Sequence, residues 1–346
     1  MFWRTICDEL QSQGTCKRLF QESPIPNPKN LCLLLLVSLG TCLGAPAQTD
    51  TSPHKVQFIT VEEGVQLEVL DWGGTGRPLL FLTGAGDTAH AFDNFAPKFI
   101  GEHHVYGITR RGSGASSKPE PANGNYGVTR LGDDVLAVMR ALQIERPVLV
   151  GHSRAGAELS SIGSRFPDRV AGLVYLDAAY GFAFYDPAHP MLEIEMNGIK
   201  KRIEEIEAGG VDEAKKLLEP EAAVSRFETV LHENNEGIKT MPPLPPRSPM
   251  AAAFNFGVEK YTSLPVPVLA IFACPHDWSR FFPNDLERRA ERIAADTAAC
   301  TAQADALRHG VPTAHVVLIP NADHYVYRLN EAQVTVEMKK FLGTLP

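Results

Sequence analysis

The sequence lacks several features that would assign it to a well-defined class of protein. It has no internal repeat, no cysteine–histidine spacing typical of a zinc site and no excess of positive charge. Its formal net charge of −8 at pH 7 argues against nucleic-acid partners, because such proteins carry a basic face. Hydrophobic residues make up 44% of the chain and charged residues 21%, so the composition is that of an ordinary globular protein.

The sequence also lacks a comfortable transmembrane segment, which would need about 20 apolar residues. Its N-terminal apolar run covers only residues 31–43. Lys29 precedes this run and Ala45-Pro46-Ala47 follows it, a pattern typical of a secretory signal peptide. We therefore predict a leader over residues 1–47, cleavage near Ala47, and export to the periplasm or the medium with no stable membrane span after cleavage.

Cysteine is scarce beyond the predicted leader. The chain has six cysteines, of which only Cys274 and Cys300 lie in the part that would be exported. Two cysteines in an exported protein often form a disulfide. Two free, buried thiols are the alternative, and the sequence leaves both open.

Strand-like and helical segments alternate from residue 55 onwards. The runs at 55–61 and 65–70 alternate apolar and polar residues and read as a hairpin. The run at 78–82 is continuously apolar, as a strand buried on both faces should be. This alternation predicts an α/β fold whose mostly parallel sheet is covered by helices on both faces.

One long segment interrupts this alternation. Residues 181–260 contain proline-rich patches and amphipathic helical stretches, without a strong strand pattern. We interpret this segment as an inserted helical cap. It would divide the core into a first part, residues 48–180, and a second part, residues 261–346.

The run at 147–156, Pro-Val-Leu-Val-Gly-His-Ser-Arg-Ala-Gly, is the most informative stretch of the chain. An apolar strand ends in a turn of small residues, and a helical pattern follows. Such a strand–turn–helix elbow exposes a serine, here Ser153, beside the N-terminus of a helix. Alone, the motif is also compatible with a glycine-rich turn that carries an incidental serine.

Two further residues complete a catalytic pattern with Ser153. Asp277 and His324 each follow a predicted strand, and open α/β sheets place their sites at the carboxyl ends of strands. A serine nucleophile needs a histidine base, and the imidazole needs a carboxylate that fixes its tautomer. Asp177 also follows a strand and is an alternative acid, whereas Asp323 is expected to contact its own loop.

At this point the chain resembles the α/β-hydrolases, of the class with a helical cap inserted after the sixth strand. The resemblance covers roughly residues 55–345 and rests on the order of Ser153, Asp277 and His324 and on the loop at 110–117. It implies an eight-stranded, mostly parallel sheet, with Ser153 as nucleophile, Asp277 as acid and His324 as base.

The resemblance also implies an oxyanion hole built from two backbone N–H groups. One belongs to Arg154, which follows the nucleophile, and the other to Ala85 in the loop after the third strand. The sequence departs from the family at Thr83, where a histidine is usual. The glycines around Ala85 hint at a dinucleotide fingerprint, but its third glycine is absent, so we expect no bound cofactor. Acyl chemistry on a serine also needs no metal, and we expect none.

A serine at the elbow implies acyl chemistry, because relatives that open epoxides or displace halide have an aspartate there. We expect a small-molecule ester, thioester, lactone or small amide as substrate and an acyl-enzyme on Ser153. Carbon–carbon bond hydrolysis, acyl transfer, perhydrolysis and an inactive binding module are the alternatives. Five aromatic residues of the predicted cap are candidates for the pocket lining: Phe182, Phe184, Tyr185, Phe254 and Phe256.

Overall fold

The structure is a computed structural model in which residues 52–346 are described, with gaps at 123, 179, 209–223, 226–227, 229–249, 251–252 and 254–256. The predicted leader therefore lies outside the described residues, as do Phe254 and Phe256. Among the helices that are described, none combines the length and the hydrophobicity needed to span a membrane. The predicted cap is described only in part.

The core is an eight-stranded sheet, as the resemblance implies. Its strand order is β1-β2-β4-β3-β5-β6-β7-β8, with antiparallel pairing at β1–β2 and β2–β4 and parallel pairing elsewhere. The strands are β1 (Lys55–Glu62), β2 (Val65–Gly73), β3 (Leu79–Leu82), β4 (Val105–Ile108), β5 (Val148–His152), β6 (Gly172–Leu176), β7 (Val268–Ala273) and β8 (Ala314–Ile319).

Helices follow the strands in the predicted alternation. They are α1 (Val128–Ala141), α2 (Ala155–Arg165), α3 (Leu192–Glu207), α4 (Leu286–Gly310), α5 (Val326–Leu329) and α6 (Glu331–Leu342), with short 3₁₀ turns at Ala89–Phe92, Ala96–Phe99, Pro167–Arg169 and Tyr180–Phe182. The α3 helix lies within the segment predicted as a cap.

Burial explains the sheet order. Every residue of β3, β5, β6 and β7 is buried, which matches their continuous apolar sequences and their central positions. On one face, strand side chains pack with α6 and with a cluster of aromatic rings in which Phe81 lies 5.0 Å from Phe92, centroid to centroid. On the other face, α1 and α2 pack against each other, with α2 also against β5 and β6 and α1 also against β1.

This arrangement brings the loops that follow β3, β5, β6, β7 and β8 to one edge of the sheet. In a parallel sheet these loops meet at the carboxyl ends of the strands, where open α/β sheets place their ligand sites. Three residues that follow these strands are in the left-handed region of backbone space: Ser153 (φ 52°) directly after β5, Asp177 (φ 45°) directly after β6, and Asn321 (φ 55°) in the loop after β8. Non-glycine residues rarely adopt this conformation.

Candidate active site

Ser153 lies at the turn between β5 and α2, as the elbow motif predicts. Its positive φ costs of the order of 1–3 kcal/mol, and strain of this kind persists where the surrounding structure enforces it. Small neighbours permit the turn: a Cβ added at Gly84 would lie 3.2 Å from Ser153 Cβ, and one added at Gly151 would lie 2.9 Å from Leu159 Cδ1. The glycines are needed because these segments approach one another so closely.

His324 is the partner of Ser153. Its Nε2 lies 2.9 Å from Ser153 Oγ, a distance at which the imidazole can accept the hydroxyl proton. The loop between β8 and α5 carries His324, and the carbonyl of this same residue lies 3.2 Å from His152 Nε2. Burial lowers the pKa of His152 well below its ordinary value, and the charge of His324 adds to this effect, so His152 is neutral and supports the loop of the base.

Asp177 holds the other nitrogen of His324. Its Oδ2 lies 2.6 Å from His324 Nδ1, and its Oδ1 accepts a 2.9 Å hydrogen bond from the backbone N–H of Ala273. The carboxyl group is fully buried. Burial raises the pKa of Asp177, but the charge of His276 and the hydrogen bonds from both histidines outweigh it and hold this pKa far below its usual range.

The prediction of Asp277 as the acid is therefore wrong, and the alternative, Asp177, occupies that position. Asp277 accepts a 2.8 Å hydrogen bond from the backbone N–H of Ser279, in its own loop, and hydrogen bonds from Ser279 lower its pKa. The physical reason is the direction of alternate side chains. His276 forms a parallel bridge with Ala322 and points inward, so that the next residue, Asp277, points away from the site.

His276 is the residue that sequence analysis missed. Its Nε2 lies 2.8 Å from Asp177 Oδ2, and its Nδ1 lies 2.9 and 3.2 Å from the two carboxylate oxygens of Asp296. Burial lowers the pKa of His276, but Asp177 and Asp296 outweigh burial and raise it to about 10. The sequence signal was the histidine just before Asp277; Asp296, in the middle of α4, carried none.

A disulfide joins the two elements that hold His276 and Asp296. Cys274 follows β7 and Cys300 lies on α4, with their Cα atoms 5.7 Å apart. Of the two possibilities that the sequence left open, the structure has the bonded pair. The bond closes a loop of chain that includes both His276 and Asp296.

Of the predicted oxyanion residues, Arg154 is next to Ser153 in the chain, and Ala85 follows a glycine, Gly84, that lies close to Ser153. Arg154 immediately precedes the first residue of α2, so that its N–H belongs to the N-terminal end of that helix. Ala85 follows Gly84, which packs against Ser153. The Arg110 guanidinium holds this loop by donating to the carbonyls of Thr83 (2.8 Å) and Gly84 (3.2 Å).

A buried ion pair ties the same loop to the nucleophile helix. Arg110 pairs with Glu158 on α2, and both side chains are 5% exposed. Burial raises the pKa of Glu158, although Arg110 opposes that shift. Breaking a buried pair leaves an uncompensated charge, so the pair fixes the loop of Ala85 and the helix after Ser153 in one relative position.

The three described pocket candidates have different surroundings. The Arg154 guanidinium lies 5.5 Å from the centre of the Phe182 ring, so Phe182 is adjacent to the elbow. Phe184 packs against Gly310 at the end of α4, and Tyr185 donates a 2.6 Å hydrogen bond to Glu195 on α3. Phe184 and Tyr185 thus join the segment after β6 to neighbouring helices.

Donor atoms of Asp177, His276 and His324 all lie within 4.8 Å of one another, a separation that would suit a metal ion. Their hydrogen bonds to one another account for this proximity, because Asp177 Oδ2 accepts from both imidazoles. The chemistry that the arrangement supports is the activation of Ser153 by His324, with Asp177 orienting the imidazole.

Comparison with known proteins agrees with this fold. The profile of the alpha/beta hydrolase family matches residues 79–337. The chain belongs to the alpha/beta hydrolase family, and it is a hydrolase.

Individual relatives are distant. A fluoroacetate dehalogenase of a Burkholderia species is 34% identical over 116 residues, which are 33% of this chain and 38% of that protein. The 2-(acetamidomethylene)succinate hydrolase of Mesorhizobium japonicum is 24% identical over 77% of this chain and 87% of its own length. A crystal structure of E-2-(acetamidomethylene)succinate hydrolase superposes with a TM-score of 0.54 at 19% identity, over 84% of this chain and all of that one.

Proposed function

We propose that this hydrolase cleaves carboxylic esters or related acyl compounds through an acyl-enzyme on Ser153. The observation that carries the proposal is the continuous hydrogen-bonded relay from Ser153 Oγ to His324 Nε2 (2.9 Å) and from His324 Nδ1 to Asp177 Oδ2 (2.6 Å). A serine whose hydroxyl contacts an oriented imidazole is equipped to attack a carbonyl carbon.

The reaction then proceeds in two halves. Ser153 Oγ bonds to the acyl carbon while His324 Nε2 takes its proton, and this proton passes to the leaving alcohol, thiol or amine as the carbonyl re-forms. In the second half, water gives a proton to His324 and attacks the acyl-enzyme, and the carboxylic acid leaves as Ser153 regains its proton. The backbone N–H groups of Ala85 and Arg154 would stabilise the oxyanion in both halves.

The relative named as a dehalogenase suggests halide displacement as another chemistry for this fold. Ser153 favours acyl transfer instead, because a serine hydroxyl that is activated by a histidine is suited to attack a carbonyl.

The proposal is tested with a fluorophosphonate probe and a panel of chromogenic esters, lactones and amides, using residues 48–346. We expect labelling at Ser153 and turnover of at least one compound class. The Ser153→Ala variant should lose both, whereas Ser164→Ala, whose hydroxyl only donates to the Ser263 carbonyl, should retain both. Labelling of another serine, or turnover that survives Ser153→Ala, would refute the proposal.

We also propose that the protein is exported and that its leader is cleaved near Ala47. The apolar run before Ala47 supports this, and so does the Cys274–Cys300 disulfide, because disulfides persist mainly in oxidising compartments. N-terminal sequencing of the protein from its native host tests the proposal. A chain that still begins at Met1 and remains in the cytoplasm would contradict it.

Substrate selection is proposed to involve residues 181–260 as a cap over Ser153. Phe182 lies next to Arg154 at the elbow. We expect Phe182→Ala to change the ranking of acyl chain lengths by about 1–3 kcal/mol in kcat/KM. Phe184→Ala is the matched control, because it should reduce stability and leave the ranking unchanged.

A further inference from the structure

We propose that His276 is a positioning residue that carries a fixed positive charge, clamps Asp177 and sets the pH at which His324 works as a base. This inference rests on the proposed function of Ser153, His324 and Asp177. It adds a fourth and a fifth member to that relay, so that the order of contacts is Asp296, His276, Asp177, His324 and Ser153.

The hydrogen bonds themselves require His276 to be charged. A neutral imidazole has one N–H donor and one acceptor nitrogen. Both nitrogens of His276 face carboxylates, with Nε2 2.8 Å from Asp177 and Nδ1 2.9 Å from Asp296. Since an ionised carboxylate only accepts hydrogen bonds, both nitrogens must carry protons, and His276 is an imidazolium.

Asp177 is held in place by this cation. Its Oδ2 accepts from His276 and from His324, while its Oδ1 accepts from the Ala273 N–H. These three hydrogen bonds restrict the orientation of the buried carboxylate. The orientation of His324 toward Ser153 therefore depends on His276 through Asp177.

Other groups complete the surroundings of His276 and Asp296. Trp278 Nε1 donates a 3.0 Å hydrogen bond to Asp296, and the Arg292 guanidinium lies 4.3 Å from the centre of the Trp278 ring. Other titratable or charged groups lie near His324: its ring centroid is 4.6 Å from that of His152 and 5.7 Å from that of Tyr325. His324 also lowers the pKa of Asp87, and the Arg328 guanidinium lies 4.1 Å from the centre of the Tyr325 ring.

The charges of this cluster determine how readily His324 takes up a proton. Asp296, His276 and Asp177 together carry one negative charge beside His324. The rings of His276 and His324 are 6.1 Å apart, so the imidazolium opposes a second proton on His324. In the pH profile of kcat/KM, the acidic limb is the fall in rate as His324 becomes protonated. With an effective dielectric constant of about 20, removing the charge of His276 should move this limb to higher pH by up to about two units.

Two single variants and their combination test the inference. His276→Gln leaves two negative charges beside His324, and the acidic limb should move to higher pH by about one to two units. Asp296→Asn leaves a net charge of zero, and the limb should move to lower pH by a smaller amount. The double variant restores one negative charge, and its limb should return toward that of the wild type.

The control is His315→Gln, because His315 is a half-exposed histidine that lies 3.4 Å from Glu337 on α6. Its limb should coincide with the wild-type limb. Histidine ¹⁵N NMR gives a readout that is independent of activity: His276 should keep both ring protons up to at least pH 8. Fluorophosphonate labelling of each variant confirms that its site is assembled.

If His276→Gln and Asp296→Asn lose kcat/KM equally and their acidic limbs do not shift in opposite directions, the inference is overturned and His276 is a packing residue. A neutral His276 at pH 7 in the NMR titration would also overturn it. Neither result would affect the proposed function, provided that wild-type protein is labelled at Ser153 and turns over an ester. Failure of wild-type labelling would instead refute the proposed function, while the NMR result would still decide the charge of His276.

Discussion

The assignment of Asp177 as the acid can be tested directly by comparing substitutions at two aspartates, Asp177 and Asp277. Each follows a strand of the sheet, but Asp177 contacts His324 Nδ1 at 2.6 Å and Asp277 contacts the Ser279 N–H at 2.8 Å. The test compares Asp177→Asn with Asp277→Asn. Each substitution removes one negative charge and keeps the size of the side chain, so only the position of the change differs.

The expected magnitudes differ by orders of magnitude. An asparagine at 177 can donate to His324 and stabilise the wrong tautomer, and in serine hydrolases such a change costs about 10⁴ in kcat, or ~5.4 kcal/mol of transition-state stabilisation. An asparagine at 277 keeps an oxygen that can accept from Ser279. Asp277 is partly exposed, so this variant should stay within about 0.5 kcal/mol of wild type in stability and within about threefold in kcat/KM.

The assay is initial-rate hydrolysis of the best ester from the panel, together with the rate of fluorophosphonate labelling. Asp177→Asn also leaves the His276 imidazolium with one carboxylate fewer, which costs up to about 3–5 kcal/mol of stability. Circular dichroism at the assay temperature must therefore show that the variant is folded. A folded Asp177→Asn protein with near wild-type activity, or a 10³-fold loss in Asp277→Asn, would refute our assignment.

Three further predictions concern the framework. Replacing Cys274 and Cys300 by alanine opens a loop of 26 residues and should reduce the free energy of unfolding by ~3.5 kcal/mol, measured by urea titration. The pKa of His276 is raised to about 10 from ~6.5 in the unfolded chain. Its contribution to the free energy of unfolding is therefore complete below about pH 6.5 and should disappear as pH rises through 10. If the free energy of unfolding of His276→Gln falls as steeply over this pH range, the prediction is contradicted. Gly84→Ala places a Cβ 3.2 Å from Ser153 Cβ and should reduce kcat at least tenfold, whereas Gly101→Ala, with open space around it, should not.

The fold could be predicted because its signals are local. The apolar runs of β3, β5 and β7 have no polar face, and such runs belong in the middle of a parallel sheet. The small residues around Ser153 mark a tight strand–helix turn for the same reason, since close packing there excludes larger side chains. Each signal depends on neighbours in sequence, so no long-range information was needed.

The acid could not be selected in that way. Asp177 and Asp277 follow adjacent parallel strands, β6 and β7, and each is a polar residue at a strand end. The choice depends on which of two consecutive side chains, at 276 or 277, points inward. A shift of one residue in the pairing register would exchange the inward and the outward side chain. That register is set by the bridge between His276 and Ala322, a contact between segments about 46 residues apart.

There is a physical reason why the loop after β6 supplies the acid and the loop after β7 supplies a histidine. A carboxylate as deeply buried as Asp177 is costly unless it is paired and hydrogen-bonded. Had the inward residue after β7 been a second carboxylate, the two like charges would have raised one pKa and weakened the hold on His324. A histidine there, charged because it lies between the carboxylates of Asp177 and Asp296, compensates Asp177 instead. The loop after β7 thus still supports the base, but it does so through a cation that stabilises the acid from β6.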